Sequence, residues 1–397
     1  MIKILSLYTS TIAISLALFS QQTLASNGHM HNSNNGWQAD ADLVYRSKSH
    51  PNTLGFLSTN QHEKTAGLKL EHFDLSYQSD LSNLTTQKDI KNASGKVSIS
   101  YHSNNLEITE AWLKNKWFNS LELKAGKYLP RIGFLNHQHE HHYAFQQAPL
   151  INRVYWGDQI SEAGAELSYT VGNQNIHLLQ TFNVLGGSHI NSKQDTLAYL
   201  YQAEGSFNFD RLSVTLLGSY YQTTVEDRGL VLFNLSNTTH THSNSQFNEY
   251  FDGDIKHITA GLKLAYRSSI GTWQLQTEYA QRNEEGRLYN TTTNLADLVL
   301  QSNGMYQQIT WQSPNKKYQA GVRYNYLYSD ATVSNASDNS LDGSRLNNQD
   351  QTPQMVSLLL GYQFSDSQKL KIIASDNIGW EEYSQRFEVH YQQSIQF

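Results

Sequence analysis

Apolar and polar residues change places one by one through most of this 397-residue chain. A strand sends neighbouring side chains to opposite faces, so a period of two means ribbons with one apolar and one polar side. In one such stretch Tyr318, Ala320, Val322, Tyr324, Tyr326 and Tyr328 oppose Gln319, Gly321, Arg323 and Asn325. In another, Ile258, Ala260, Leu262, Leu264 and Tyr266 oppose Thr259, Lys263 and Arg267. A first strand runs from Trp37 to Arg46 with Asp40 and Asp42 on one face. In 67–78 the apolar set changes parity near His72, which predicts a bulge or register break. The alternation then recurs near 95–103, 106–116, 119–128, 161–170, 175–184, 196–208, 211–225, 256–268, 271–281, 303–312, 317–328, 353–364, 368–375 and 385–397. That makes about sixteen strands, with fourteen to eighteen as the range.

The links between these strands sort by parity. Short ones such as Ser365-Asp366-Ser367, Ser313-Pro314-Asn315-Lys316 and Gly172-Asn173-Gln174 alternate with long ones at 376–384, 329–352, 282–302, 226–255, 185–195 and 129–160. The early part departs from this rule, being short near Ser103-Asn104-Asn105 and long between the second and third strands. A soluble sandwich has no reason to sort its loops in this way. The pattern predicts an all-β fold, a transmembrane antiparallel β-barrel with short periplasmic turns and long extracellular loops. Outer-membrane lipid would meet the apolar face, and water in the lumen would meet the polar one.

Composition agrees. Only 38% of residues are apolar, yet there are 24 Tyr and 7 Trp, which suits wet inner faces and aromatic girdles. Past the first 25 residues no run approaches the roughly 20 apolar residues a spanning helix needs. With 29 basic against 35 acidic residues the chain is mildly acidic, so no nucleic acid partner is expected. Residues 1–25 read as a signal peptide, with Lys3 ahead of an apolar stretch and Thr23-Leu24-Ala25 before the cut. Residues 26–36 are a loose stub holding His29 and His31, and 37–397 is the barrel.

The stretch richest in chemistry lies between the fifth and sixth strands. It places His137, His139, Glu140, His141 and His142 within six residues. Neutral imidazole is the commonest ligand of borderline cations, and three His with a carboxylate suffice for a four-coordinate zinc site. An extended segment spaces alternate His roughly 6.5–7 Å apart, too wide without a turn. A helical one puts His137 and His141 one turn apart. His240 and His242 are candidates to join them. The loop also carries Arg131, Arg153 and Asp158, which with Arg323 and Glu278 of the polar faces form the expected pore-lining or selectivity set. No G-x-S-x-G or H-E-x-x-H occurs, so no enzyme is expected.

Two resemblances sharpen this reading. The last strand, ending on Phe397 with Phe387, Val389, Tyr391 and Ile395 on one face, resembles the closing strand of bacterial outer-membrane barrels, which implies recognition by the barrel assembly machinery. Glu110-Ala111-Trp112-Leu113, then Ala125-Gly126-Lys127, then Asn136, Gln138, His139 and His141, then Pro149, Leu150 and Arg153, resemble a family of porin-like proteobacterial outer-membrane proteins. That family carries a G-x-L-N-x-Q-H-x-H loop, is linked to zinc acquisition, and is distantly similar to phosphate-selective porins. The chain departs from it in having Glu140 where Pro is expected, and in adding His137 and His142. The expectation is an outer-membrane channel for small solutes in a Gram-negative cell, with a metal-binding or metal-selecting loop and a homotrimer as the assembly. The other reading is a receptor or adhesin barrel whose loops bind a partner while the lumen does not conduct. The loop is equally able to fold into the pore or to stay outside.

Overall fold

A computed structural model describes residues 36–49, 65–81, 92–102, 105–118, 120–187, 196–229, 249–290, 295–336, 352–378 and 385–397. These hold sixteen strands: β1 (Gly36–Arg46), β2 (Gly67–Asp80), β3 (Ala93–His102), β4 (Asn105–Trp117), β5 (Leu121–Tyr128), β6 (Glu162–Gly172), β7 (Ile176–Leu185), β8 (Ala198–Asn208), β9 (Leu212–Gly229), β10 (Glu249–Ser268), β11 (Gly271–Asn290), β12 (Leu295–Gln312), β13 (Tyr318–Ser334), β14 (Gln354–Ser365), β15 (Gln368–Ile378) and β16 (Arg386–Gln396). Every strand pairs antiparallel with its sequence neighbour, and β1 pairs with β16, so the sheet closes into a barrel without an edge. The stub at 26–35, His240 and His242 lie outside the described residues.

The two faces fall as the alternation requires. On β16 Arg386, Glu388, His390 and Gln392 are buried inside, while Phe387 and Phe397 are exposed outside. Leu358, Leu360 and Val322 are likewise exposed on the outer wall. Trp273 and Trp311 pair on it near the short turns, as do Tyr318 and Tyr362. The rim that carries the 129–161 link is here called the loop rim, and the other the turn rim.

Two departures have physical causes. The strands β10 to β13 extend six to nine residues further toward the loop rim than alternation marks, so 282–302 is strand except for 291–294, outside the described residues. There the inner face turns apolar, with Ile255, Leu288, Leu298, Leu300 and Leu327 buried in one cluster, which erases the polar-in pattern. The bulge in β2 lies at Glu71, where Asp42 faces His72 but Leu43 faces Leu70. The extra residue lets adjacent Glu71 and His72 both address the interior, Glu71 accepting from Arg46 Nη1 at 2.7 Å and His72 meeting Asp74.

Candidate metal centre on an inward loop

The link from Leu129 to Ser161 enters the barrel. It is a chain of short pieces: a 3-10 turn at Glu140–His142 and one short helix, α1 (Leu150–Trp156), that starts after Pro149 and stops at Gly157 in the left-handed region. All seven residues of α1 are buried. Val154 and Tyr155 are fully enclosed, and Trp156 meets Tyr221 and His257 edge-on with ring centres 5.1 and 4.5 Å away. The apolar inner faces of β9 to β13 thus have their partner: the loop's own Ile132, Leu135, Ile151, Val154 and Trp156.

Polar groups of the wall seat the rest. Glu278 accepts the Phe134 N–H at 3.0 Å and the Tyr306 hydroxyl. Gly133 stands against that carboxylate at φ 65°, and a Cβ there would lie 2.2 Å from Glu278 Oε2, so only Gly fits on both counts. Arg323 Nη1 donates to Gln147 O at 2.7 Å, and its guanidinium lies over Phe145. Lys371 Nζ donates to Tyr143 O and Gln146 Oε1, both at 2.6 Å. Asn325 Oδ1 accepts Leu150 N–H at 3.2 Å, and Arg282 Nη1 donates to Tyr155 O at 3.1 Å. The 3-10 turn is tied to β16 by Gln392 Nε2, which donates to His141 O at 2.9 Å.

Of the residues expected to set selectivity, Glu278 and Arg323 are therefore spent on holding the loop. Arg153 faces Asp158 within the loop at 3.7 Å, and both are buried. Arg131 sits beside His137.

The His residues part company. His139 and His141 stack with ring centres 5.5 Å apart and reach β2, where His72 and Asp74 wait. Three imidazoles converge on Asp74 Oδ2: His72 Nε2 at 2.5 Å, His141 Nδ1 at 3.3 Å and His139 Nδ1 at 3.8 Å. One ligand atom each from His72, Asp74 and His141 lies within 4.8 Å of the others. The far nitrogen of His139 meets Glu110 Oε1 at 3.1 Å, and Glu110 also holds Lys96. Both ring nitrogens of His141 are buried without a hydrogen-bond partner. Burial first, then neighbouring His142, His72 and His139, hold its pKa well below the ordinary 6.5, against the pull of Asp74. It is therefore neutral at pH 7, the form that binds metals.

His142 lies beside His141, its ring 4.1 Å away; part of its surface stays accessible, and desolvation of the rest, then Lys369, push its pKa down to about 4. His137 is exposed, with Arg131, Lys263 and Lys124 as its charged neighbours rather than Asp74. Glu140 faces the small cavity it shares with His72 and His141. The sequence reading thus found two of the converging histidines and missed His72 and Asp74. The parity break at His72 was their only local signal.

The donor set, two imidazoles and a carboxylate with ligand atoms within 4.8 Å of one another, is one that could hold a borderline divalent cation. Ligand atoms around tetrahedral zinc lie about 3.3 Å apart, which is the His141–Asp74 separation, and His72 need retreat from Asp74 by only about 0.8 Å.

A closed sixteen-stranded antiparallel barrel with its long β5–β6 link inside defines a porin-like fold, and known proteins bear that out. It is similar to OprB of Pseudomonas putida, with 12% identity, 91% of this chain and 94% of that one covered, and TM-score 0.53. It is similar to OmpF of Salmonella typhi, with 12% identity, 92% and 99% covered, and TM-score 0.51. An anion-selective porin from Comamonas acidovorans gives 10% identity, 91% and 98% covered, and TM-score 0.50. At these identities the likeness is one of fold. No family model matches the sequence. An uncharacterized protein of Aquifex aeolicus is 26% identical over 221 residues, 52% of this chain and 44% of that protein, so the match spans less than half of the relative's length.

Proposed function

We propose that this chain is an outer-membrane channel for small solutes whose inward loop holds a divalent transition metal, zinc foremost, at His72, Asp74 and His141, with His139 in reach as a fourth ligand. The reading includes export through the leader at 1–25, assembly by the barrel machinery through the last strand, and a homotrimer in the lipid. One observation carries the metal: a neutral, buried imidazole with neither nitrogen satisfied, aimed at a carboxylate already shared by another histidine. A buried polar group left unmade costs about 1–3 kcal/mol, and a bound cation would recover it.

Zinc titration of the full-length barrel in detergent tests this, with the visible spectrum of bound Co2+ reporting coordination. The expected result is one site per chain, lost in His141→Ala. Wild-type binding that survives His72→Ala and His141→Ala together would sink it. The dry seating of α1 across the lumen favours a second reading, a receptor barrel that does not conduct. Single-channel recording in planar bilayers separates the two.

A further inference from the structure

His141 stands between two small cavities that the metal site alone does not explain. One holds about 20 Å3 and is bounded by Glu71, Glu140 and His390 with Arg46 behind. The other holds about 10 Å3 and is bounded by Asp40, Lys369, Gln392 and Ser394. Asp42, His72 and His141 line both. Their positions along the strands place them on opposite sides of the histidine pair. Arg46, Glu71 and His390 lie toward the loop rim from Asp42 and His72, whereas Asp40 and Ser394 lie toward the turn rim, with Lys369 in the row of Asp42 and Gln392. Each space is of the size that admits a single water, hence a largely dehydrated ion.

The ring of His141 faces both directions. Its Nδ1 is 3.3 Å from Asp74 Oδ2 in the site, and its Nε2 is 3.9 Å from Oδ2 of Asp40, the register partner of Asp74 that lines the second cavity. Because neither nitrogen donates or accepts a hydrogen bond, turning the ring breaks none. The backbone beneath it is fixed by Gln392. A tethered backbone under an untethered imidazole is suited to passing an ion between carboxylates.

We propose that this wall of the barrel is a transit path for divalent transition metal ions past the seated loop. The ion enters the loop-rim cavity beside Glu71 and Asp42, is held by His72, Asp74 and His141, and leaves to Asp40 as the His141 ring turns. The proposal rests on the metal-binding reading above and adds that the site is a station on a route. Conduction needs binding strong enough to strip water and weak enough to release, and neighbouring carboxylates on both sides supply the next site. Imidazole with carboxylate favours zinc-like ions over Ca2+, which prefers oxygen alone. Lys369, set among Asp40 and Asp42, places a positive charge at the exit that shortens an ion's stay there.

The test uses full-length protein in liposomes loaded with a zinc-sensitive dye, alongside zinc titration of the same protein in detergent. Expected is saturable Zn2+ entry well above Ca2+ entry. Asp40→Asn is expected to slow entry about tenfold or more and to weaken zinc binding in detergent by a smaller factor. Lys369→Gln is expected to slow entry, because the ion then leaves Asp40 less readily, and faster entry would count against the assigned exit. Wild-type protein that binds zinc but admits it no faster than protein-free liposomes would overturn the path while leaving the binding site intact. Unchanged entry in Asp40→Asn would do the same. Absence of zinc binding in a barrel that remains folded would overturn both readings.

Discussion

The loop is held in the lumen by packing separate from the strand pairing that closes the barrel, so it can be unseated without unfolding the wall. Trp156 is the residue to remove. It is 3% exposed, at the end of α1, and lies edge-on to Tyr221 of β9 and His257 of β10. Truncating a buried Trp to Ala costs about 3–5 kcal/mol, and about 1.4 kcal/mol is tenfold, so the ratio of seated to released loop should fall roughly 10²–10⁴-fold. None of the sixteen strand pairings involves Trp156, so the barrel itself should survive. Two measurements report the outcome: hydrogen exchange across 129–161, and single-channel conductance. The expected result in Trp156→Ala is faster exchange confined to the loop, with larger or more frequent openings. A folded variant with wild-type exchange and wild-type conductance would refute the claim that apolar packing of α1 holds the loop in the lumen.

Other outcomes follow from the same geometry. Replacing His72 or Asp74 by Ala should weaken zinc binding by about tenfold to a hundredfold or more, whereas His137→Ala should leave it unchanged, as read by calorimetry. Acid should release the loop. The seated His141 and His142 have pKa values below the ordinary 6.5, so between that value and the seated ones the free loop binds more protons, and seating is lost as pH falls through this window. Protease cleavage within 129–161 in the metal-free barrel should therefore rise from pH 7 to pH 4, and a flat profile would count against neutral seated histidines. Gly133→Ala forces a side chain into Glu278 at positive φ and should cost more than about 1 kcal/mol of loop seating, seen again by hydrogen exchange. Leu358→Arg, on the outer wall of β14, should destabilise the barrel by about 2–4 kcal/mol in denaturant unfolding from lipid vesicles if that face meets the bilayer midplane.

The wall at β1 and β16 carries its own buried charges. Asp42, His390, Glu388 and Arg46 form one buried chain of contacts on β1 and β16, His390 Nδ1 lying 3.1 Å from Asp42 and Nε2 3.0 Å from Glu388. Buried charges persist only when paired, and here the loop joins the pairing through Gln146 and Gln147. On the β9–β13 side the helix is gripped by an apolar cluster together with Arg282, and on the β1–β2–β16 side the loop meets ionic groups and the histidines' partners.

Strand number, closure and the outward direction of Tyr318 or Phe387 were legible in the alternation itself. Which way a strand's side chains point is a local property, repeated every two residues whatever the rest of the chain does. The break at His72 belonged to the same local grammar. What lay beyond it was every contact that the closed wall makes with its own loop. His141 meets His72 and Asp74 across nearly seventy residues of sequence, and Asp42 meets His390 only because β1 and β16 join. The inner apolar face near the loop rim was hidden for a related reason: alternation marks two faces but does not say what each will touch. Here α1 packs on the inner faces of β9 to β13 and the histidines meet β2, and only the folded loop decides which part of the wall each one touches.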